Sequence, residues 1–164
     1  MITLKKIYSY IQGWTRYYMY YGDFRNKKLI DYSFDLYRYS KESPFLFNLR
    51  IKWNLLMYDL LPSHIRQQIE KRIISSLPCI FEGQCKICKC STPALQMANK
   101  ACDKPCYPAM LSKKDWEEFY GNGEHTPIKW HLDKTTNLEW TIFDRKFVNK
   151  QDYISKKFLN NNHE

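Results

Sequence analysis

Six cysteines fall within 28 residues, Cys79, Cys85, Cys88, Cys90, Cys102 and Cys106, and none falls elsewhere in the 164-residue chain. The centre of the cluster reads Cys85-Lys86-Ile87-Cys88-Lys89-Cys90, and after eleven residues comes Cys102-Asp103-Lys104-Pro105-Cys106. Two thiolates separated by two residues can turn toward one tetrahedral ion, and a second pair a loop later can close the remaining vertices at ~2.3 Å per Zn–S bond. Cys85, Cys88, Cys102 and Cys106 supply such a set. Cys90 could replace Cys85 or Cys88, because a Cys-x-Cys unit also brings both sulfurs near one ion, and Cys79 is either a packed thiol or a partner for the spare cysteine. The lysines at 86, 89, 100 and 104 offset the negative charge of clustered thiolates and favour the thiolate form that binds metal.

A structural zinc is the expected occupant. An iron–sulfur cluster also takes four thiolates, but no electron-transfer partner or substrate pocket is suggested by the sequence. Cys85-x-x-Cys88 alone could be a redox pair, which would require a thioredoxin-like βαβ context, and the surrounding pattern is helical instead. A disulfide-only knot is the remaining alternative. Residues 79–110 hold few large apolar side chains, so this stretch buries little area of its own; a structural zinc contributes on the order of 10 kcal/mol to such a segment.

Around the cluster the pattern is helical. Thr3 caps a helix from Leu4 to about Tyr21, with Leu4, Ile7, Ile11, Trp14, Tyr18 and Tyr21 as its apolar stripe and Gly13 as its weak point. A second helix is expected over Lys28–Ser40, and Phe45–Leu61 reads as a third, stopped by Pro62. Ser63 caps the next helix, His64–Ser76, with Ile65, Ile69 and Ile73 inward and Arg66, Gln67, Glu70 and Lys71 outward. Pro78 is expected to end helical structure. Beyond the cysteines, Ser112 opens a short helix over Lys113–Tyr120 in a variant of the capping box, and Gly121-Asn122-Gly123 breaks it. Ile128, Trp130 and Leu132, then Leu138, Trp140 and Ile142, alternate with polar residues across a turn-rich Asp133–Asn137, which predicts a β-hairpin. Asn149 or Gln151 begins a terminal helix.

The expected fold class is therefore mainly α, with a small metal-stabilised cysteine knot and a C-terminal β-hairpin (α+β). Three regions are distinguished within one unit: a basic, Tyr-rich helical region over 1–78, the cysteine-rich knot over 79–110, and the short helix, hairpin and terminal helix over 111–164.

The net charge of +9 is unevenly spread: residues 1–78 carry +7, residues 79–110 carry +2, and residues 111–164 are neutral. Such a field favours an acidic partner, whether nucleic acid, an anionic membrane surface or an acidic protein. Sixteen of the 27 aromatic residues lie before position 60. Among them Tyr17, Tyr18, Tyr20 and Tyr21, close to Arg16 and Arg25, form a group suited to protein contact or to stacking on bases. No apolar run approaches the ~18 residues that span a bilayer. No secretory signal is visible, so the expected setting is the reducing cytoplasm in which thiols favour metal over disulfides.

The stretch from Gly83 to Cys90, continued by Thr92-Pro93-Ala94-Leu95-Gln96-Met97-Ala98-Asn99-Lys100-Ala101 and Cys102 to Pro108, resembles a group of small cysteine-rich proteins encoded by tailed bacteriophages, including phages of gut Bacteroidetes. The helix from Ile65 to Ile73 is similar to the one that precedes the knot in that group, and the resemblance spans about residues 63–119. It implies a phage origin and, the group having no assigned activity, little about mechanism; the expected location is the host cytoplasm during expression and the virion.

Catalytic constellations are missing from the sequence. There is no Walker, Gly-x-Ser-x-Gly or His-Glu-x-x-His motif, the carboxylates Glu117, Glu118, Asp144 and Asp152 form no obvious pair, and His64, His125, His131 and His163 are scattered, with His125 or His131 at most completing a second metal site. The expectation is a non-enzymatic, zinc-stabilised protein that docks on other phage structural proteins or on itself. A basic nucleic-acid-binding module is the alternative, and a thiol or iron–sulfur redox protein the second.

Overall fold

The computed structural model describes residues 4–19, 43–92, 94–103, 106–121, 123 and 128–161. Among them lie α1 (Leu4–Met19), α2 (Pro44–Met57) followed by a 3-10 turn (Tyr58–Leu60), α3 (Ser63–Ser75), α4 (Leu77–Glu82), α5 (Ala94–Met97), α6 (Lys113–Tyr120), β1 (His131–Asp133), β2 (Leu138–Phe143), β3 (Lys146–Asn149) and α7 (Lys150–Asn161). The fold is helical with one small antiparallel sheet of order β1-β2-β3, consistent with the α+β expectation. The helix expected over Lys28–Ser40 lies outside the described residues.

Helix α3 is the axis of the molecule. Ile65, Ile69 and Ile73 pack with Tyr17, Leu61, Ile80 and Met97 into one core. A second core gathers Cys102, Tyr107, Leu111, Trp116, Phe119, Trp140, Ile142 and Phe147. Ser63 does not cap α3: Pro62 occupies the cap position without a side-chain bond, and its carbonyl accepts from the Ile65 and Arg66 N–H groups. Lys71 is not outward either. It is buried, with Nζ 5.4 Å from the Tyr120 ring centre, where the aliphatic stem packs and the ammonium meets an aromatic face.

Pro78 does not end helical structure; it sits in the first turn of α4, where a missing N–H is tolerated because it would have no intrahelical partner. The break falls instead at Ser76, whose φ of −125° leaves the helical region. Cys79 is therefore a helical residue. Gly83 closes α4 in the left-handed conformation at φ 70°.

The Ser112 cap appears as expected, its Oγ accepting from the Asp115 N–H at 3.2 Å and donating to the Asp115 carboxylate at 2.7 Å. The hairpin is present with Trp140 opposite His131 and Leu138 opposite Asp133. It is extended by β3, for which the sequence pattern offers no expectation and which pairs antiparallel with β2. Asp144 and Arg145 turn the chain at φ 50° and 62°, the paired left-handed geometry of a two-residue hairpin turn. Arg145 donates to Glu70 at 2.9 Å and the Phe147 N–H donates to Ser75 Oγ at 2.8 Å, so the new strand is fastened to α3. Asn149 then caps α7, accepting from the Asp152 N–H and donating to its carboxylate.

In α1 the face that packs differs from the expected stripe. Leu4, Ile7 and Ile11 are exposed, whereas Gly13 and Tyr17 are buried. A Cβ on Gly13 would stand 2.3 Å from the Ala94 carbonyl oxygen. Glycine is thus the contact surface between α1 and α5.

Candidate metal centre

The thiols sit in three backbone settings. Cys79 is on α4, its carbonyl accepting from Thr92 Oγ1 at 2.9 Å. Cys85, Cys88 and Cys90 occupy a tight hairpin: Gln84 and Ser91 form a bridge, the Cys85 N–H donates to the Cys90 carbonyl at 2.9 Å, and the Lys89 N–H donates back to the Cys85 carbonyl at 3.1 Å. Lys89 takes the left-handed conformation at φ 56° that this reversal requires. Cys102 is joined to the next turn by its N–H, which donates to the Tyr107 carbonyl at 3.3 Å.

Cys85 and Cys102 are buried, Cys79, Cys88 and Cys106 are half-buried, and Cys90 is exposed. Side-chain proximity links them. Burial raises the Cys79 thiol above its ordinary value, and the neighbouring Cys85 and Cys102 add to the rise. Cys88 is pushed up to about 12, first by burial and then by hydrogen bonding with the Cys90 and Cys85 thiols. A thiol held protonated in this way is a poor nucleophile at neutral pH. A bound cation reverses the balance, since metal ligation releases the protons.

Among the described residues, no group of three or more Cys, His, Asp or Glu side chains is arranged to hold an ion together. The thiols are neighbours without being gathered on a common centre. Their chemistry fits a thiophilic cation such as zinc. Tyr107 adds to that fit. Its hydroxyl is buried with no hydrogen-bond partner, close enough to Cys102, Cys106 and Cys85 that they influence its ionisation. A thiolate at this place would give the hydroxyl an acceptor.

What holds the segment between the thiols is a set of α3 side chains, Gln68 and Arg72, for which linear patterning predicts no role. Arg72 is fully buried. Its guanidinium donates to the carbonyls of Gln96 at 3.2 Å, Ala98 at 2.5 Å and Pro108 at 2.6 Å. Burial pulls its pKa down to about 10, against an opposing influence from Tyr107, so it stays charged at neutral pH. One turn earlier, Gln68 accepts from the Leu111 N–H at 2.7 Å and donates to the Leu111 carbonyl at 3.0 Å. The signal was present: Gln68 and Arg72 stand three and seven residues after Ile65, on the same helical face as the isoleucines.

The basic, tyrosine-rich group separates. Tyr17 is in the core. Arg16 donates to the Met97 carbonyl at 2.8 Å and to Asn99 Oδ1 at 2.7 Å, so its guanidinium is engaged within the fold. Tyr20, Tyr21 and Arg25, and the side chain of Tyr18, lie outside the described residues. His131 is on β1, its ring 5.7 Å from that of Phe119, beside a cleft of about 380 Å³ that Asp115 and Glu118 also line. Asp115 is engaged by Ser112 there, and His125 and His163 lie outside the described residues.

The chain matches no protein-family model, and no curated protein or solved structure is significantly similar to it.

Proposed function

We propose that this is a non-enzymatic docking protein of a tailed bacteriophage, a virion or assembly component whose cysteine segment is stapled by a structural zinc. The observation that supports this reading is the proximity of Cys79 on α4 to Cys85 in the hairpin and to Cys102 in the following loop, and of Cys85 to Cys88, with the orphaned Tyr107 hydroxyl near enough for Cys85 and Cys102 to influence its ionisation, although among the described residues no three of them are arranged around one centre. A cation would tie these separate pieces together, with Cys106 at the end of the same loop as a further ligand. The phage assignment rests on the resemblance of the cysteine stretch.

Docking is supported by the apolar faces that α1 and α2 leave exposed: Leu4, Ile11, Phe45, Leu49, Trp53 and Leu56 are each more than half exposed. Contiguous apolar surface of that kind marks an interaction site in a folded protein. No described helix is long and apolar enough to cross a membrane.

Elemental analysis of protein purified without added metal tests the staple, with about one zinc per chain expected. Metal-free protein whose unfolding is unchanged by chelator would overturn it. Mass spectrometry of purified particles tests the virion assignment, and absence of the chain from particles at every stage of assembly would remove it.

A further inference from the structure

Tyr107 is fully buried in the second core, packed with Cys102 and with the partly buried Cys106. Its carbonyl accepts from the Cys102 N–H at 3.3 Å, and the Arg72 guanidinium lies over its ring. Packing therefore accounts for the ring. It does not account for the hydroxyl, which is buried without a hydrogen-bond partner. A phenylalanine would fill the same volume and spare the core an unmet polar group.

The groups near that oxygen are sulfurs. Cys102, Cys106 and Cys85 stand close enough to act on it electrostatically. A neutral thiol is a weak acceptor and leaves a phenol O–H poorly satisfied. A metal-bound thiolate carries charge and accepts far more strongly. Hydrogen bonds of this outer kind fix the direction of a metal ligand and tune its donor strength. Of the three sulfurs, Cys102 is the best placed: it is buried with Tyr107 and joined to it through the backbone, whereas Cys106 is only half-buried and Cys85 belongs to the hairpin.

We propose that Tyr107 is a positioning residue of the metal centre, its hydroxyl donating a hydrogen bond to the Cys102 sulfur once that sulfur is a metal-bound thiolate. This deepens the staple reading above and rests on it. The proton released on ligation is the thiol's; the phenol keeps its own and shares it with the sulfur. The hydroxyl is thus unsatisfied in the metal-free chain and bonded in the loaded one, which makes the second core depend on the ion. Arg72, stacked on the same ring and bonded to the carbonyls of Ala98 and Pro108, carries that dependence to α3.

Tyr107→Phe in the full chain keeps the ring and deletes only the hydroxyl. Zinc(II) affinity, read by competition with a chromophoric chelator, should fall about tenfold or more. In cobalt(II)-loaded protein the thiolate-to-metal charge-transfer band should move to longer wavelength, because a sulfur relieved of its hydrogen bond gives up electron density more readily. Without metal, the variant should unfold at the same or a higher urea concentration than its parent; a hydroxyl with a purely structural role would give the opposite sign. A crystal structure of the zinc-loaded parent should place the hydroxyl within hydrogen-bonding reach of Cys102 Sγ. Equal zinc affinity, or an unmoved cobalt band, overturns the proposal while leaving the staple intact. So does a metal-free Tyr107→Phe chain less stable than its parent, or a loaded structure in which the hydroxyl bonds elsewhere. A parent chain that takes up neither zinc(II) nor cobalt(II) removes the staple, and this inference with it.

Discussion

The guanidinium of Arg72 lies 4.8 Å from the centre of the Tyr107 ring, stacking a fully buried cation on a fully buried aromatic. Their contact joins the central helix to the loop that follows the second cysteine pair. It also explains why a charge is tolerated there: the carbonyls of Gln96, Ala98 and Pro108 supply its hydrogen bonds and the ring supplies a polarised face.

Arg72→Met therefore should destabilise the protein by about 3 kcal/mol or more, because three buried carbonyls lose their donor. Arg72→Lys should recover only part of this, since an ammonium cannot reproduce the planar fork. Urea unfolding measures both, and an Arg72→Met midpoint equal to that of the parent chain would refute the hub.

Gly13→Ala distinguishes packing from propensity. On an exposed helix this change is stabilising by about 1 kcal/mol. Here the new methyl would meet the Ala94 carbonyl oxygen at 2.3 Å, so α1 must move from α5, with an expected loss of roughly 1–3 kcal/mol. A raised melting temperature would show that α1 does not pack as described.

Asp133 sets an acid limit. Burial alone would raise its carboxyl, but the Ala109 N–H, the Thr135 hydroxyl and N–H and the Thr136 hydroxyl outweigh this and hold it below its ordinary value. A depressed carboxylate contributes stability that is fully present above its unfolded value of about 3.9 and is lost as pH falls through the lower folded value. The urea midpoint should therefore fall more steeply below about pH 4 for the parent chain than for Asp133→Asn. Parallel curves for the two proteins would exclude the effect.

Removal of buried thiols tests the staple from the protein side. Cys85→Ser and Cys102→Ser should lose bound zinc and unfold at lower denaturant, whereas Cys90→Ser, at an exposed position, should retain metal. Equivalent metal content in all three variants would show that these sulfurs do not form the site.

Much of the architecture was legible locally. The bounds of α6 follow from the Ser112 cap and Gly121, and β1 and β2 from alternation on either side of a turn-rich segment. The third strand was not legible, because Asp144-Arg145 lacks the glycine that usually marks a two-residue turn; its geometry is sustained by the tie from Arg145 to Glu70 and by pairing on both sides of the bend. Pro78 starts a helix where the sequence predicts a stop, for a related reason. A proline is a stop or a start according to where the preceding residue breaks the helix, and Ser76 decides that here.

The sequence by itself determined the chemistry available: six thiols in one short stretch, a cationic front half, and helical spacing through the regions on either side. Tertiary structure alone decided which side chains are consumed internally. Arg16, Tyr17, Gln68, Lys71 and Arg72 look like surface or interface residues in a linear reading, yet all but the half-buried Arg16 are buried. The same packing leaves Leu4, Ile11, Leu49 and Trp53 outside. The physical reason is that periodicity identifies a face but not its neighbour. A polar face turns inward when backbone carbonyls from a distant loop need donors, and an apolar face stays outward where no described part of the fold covers it.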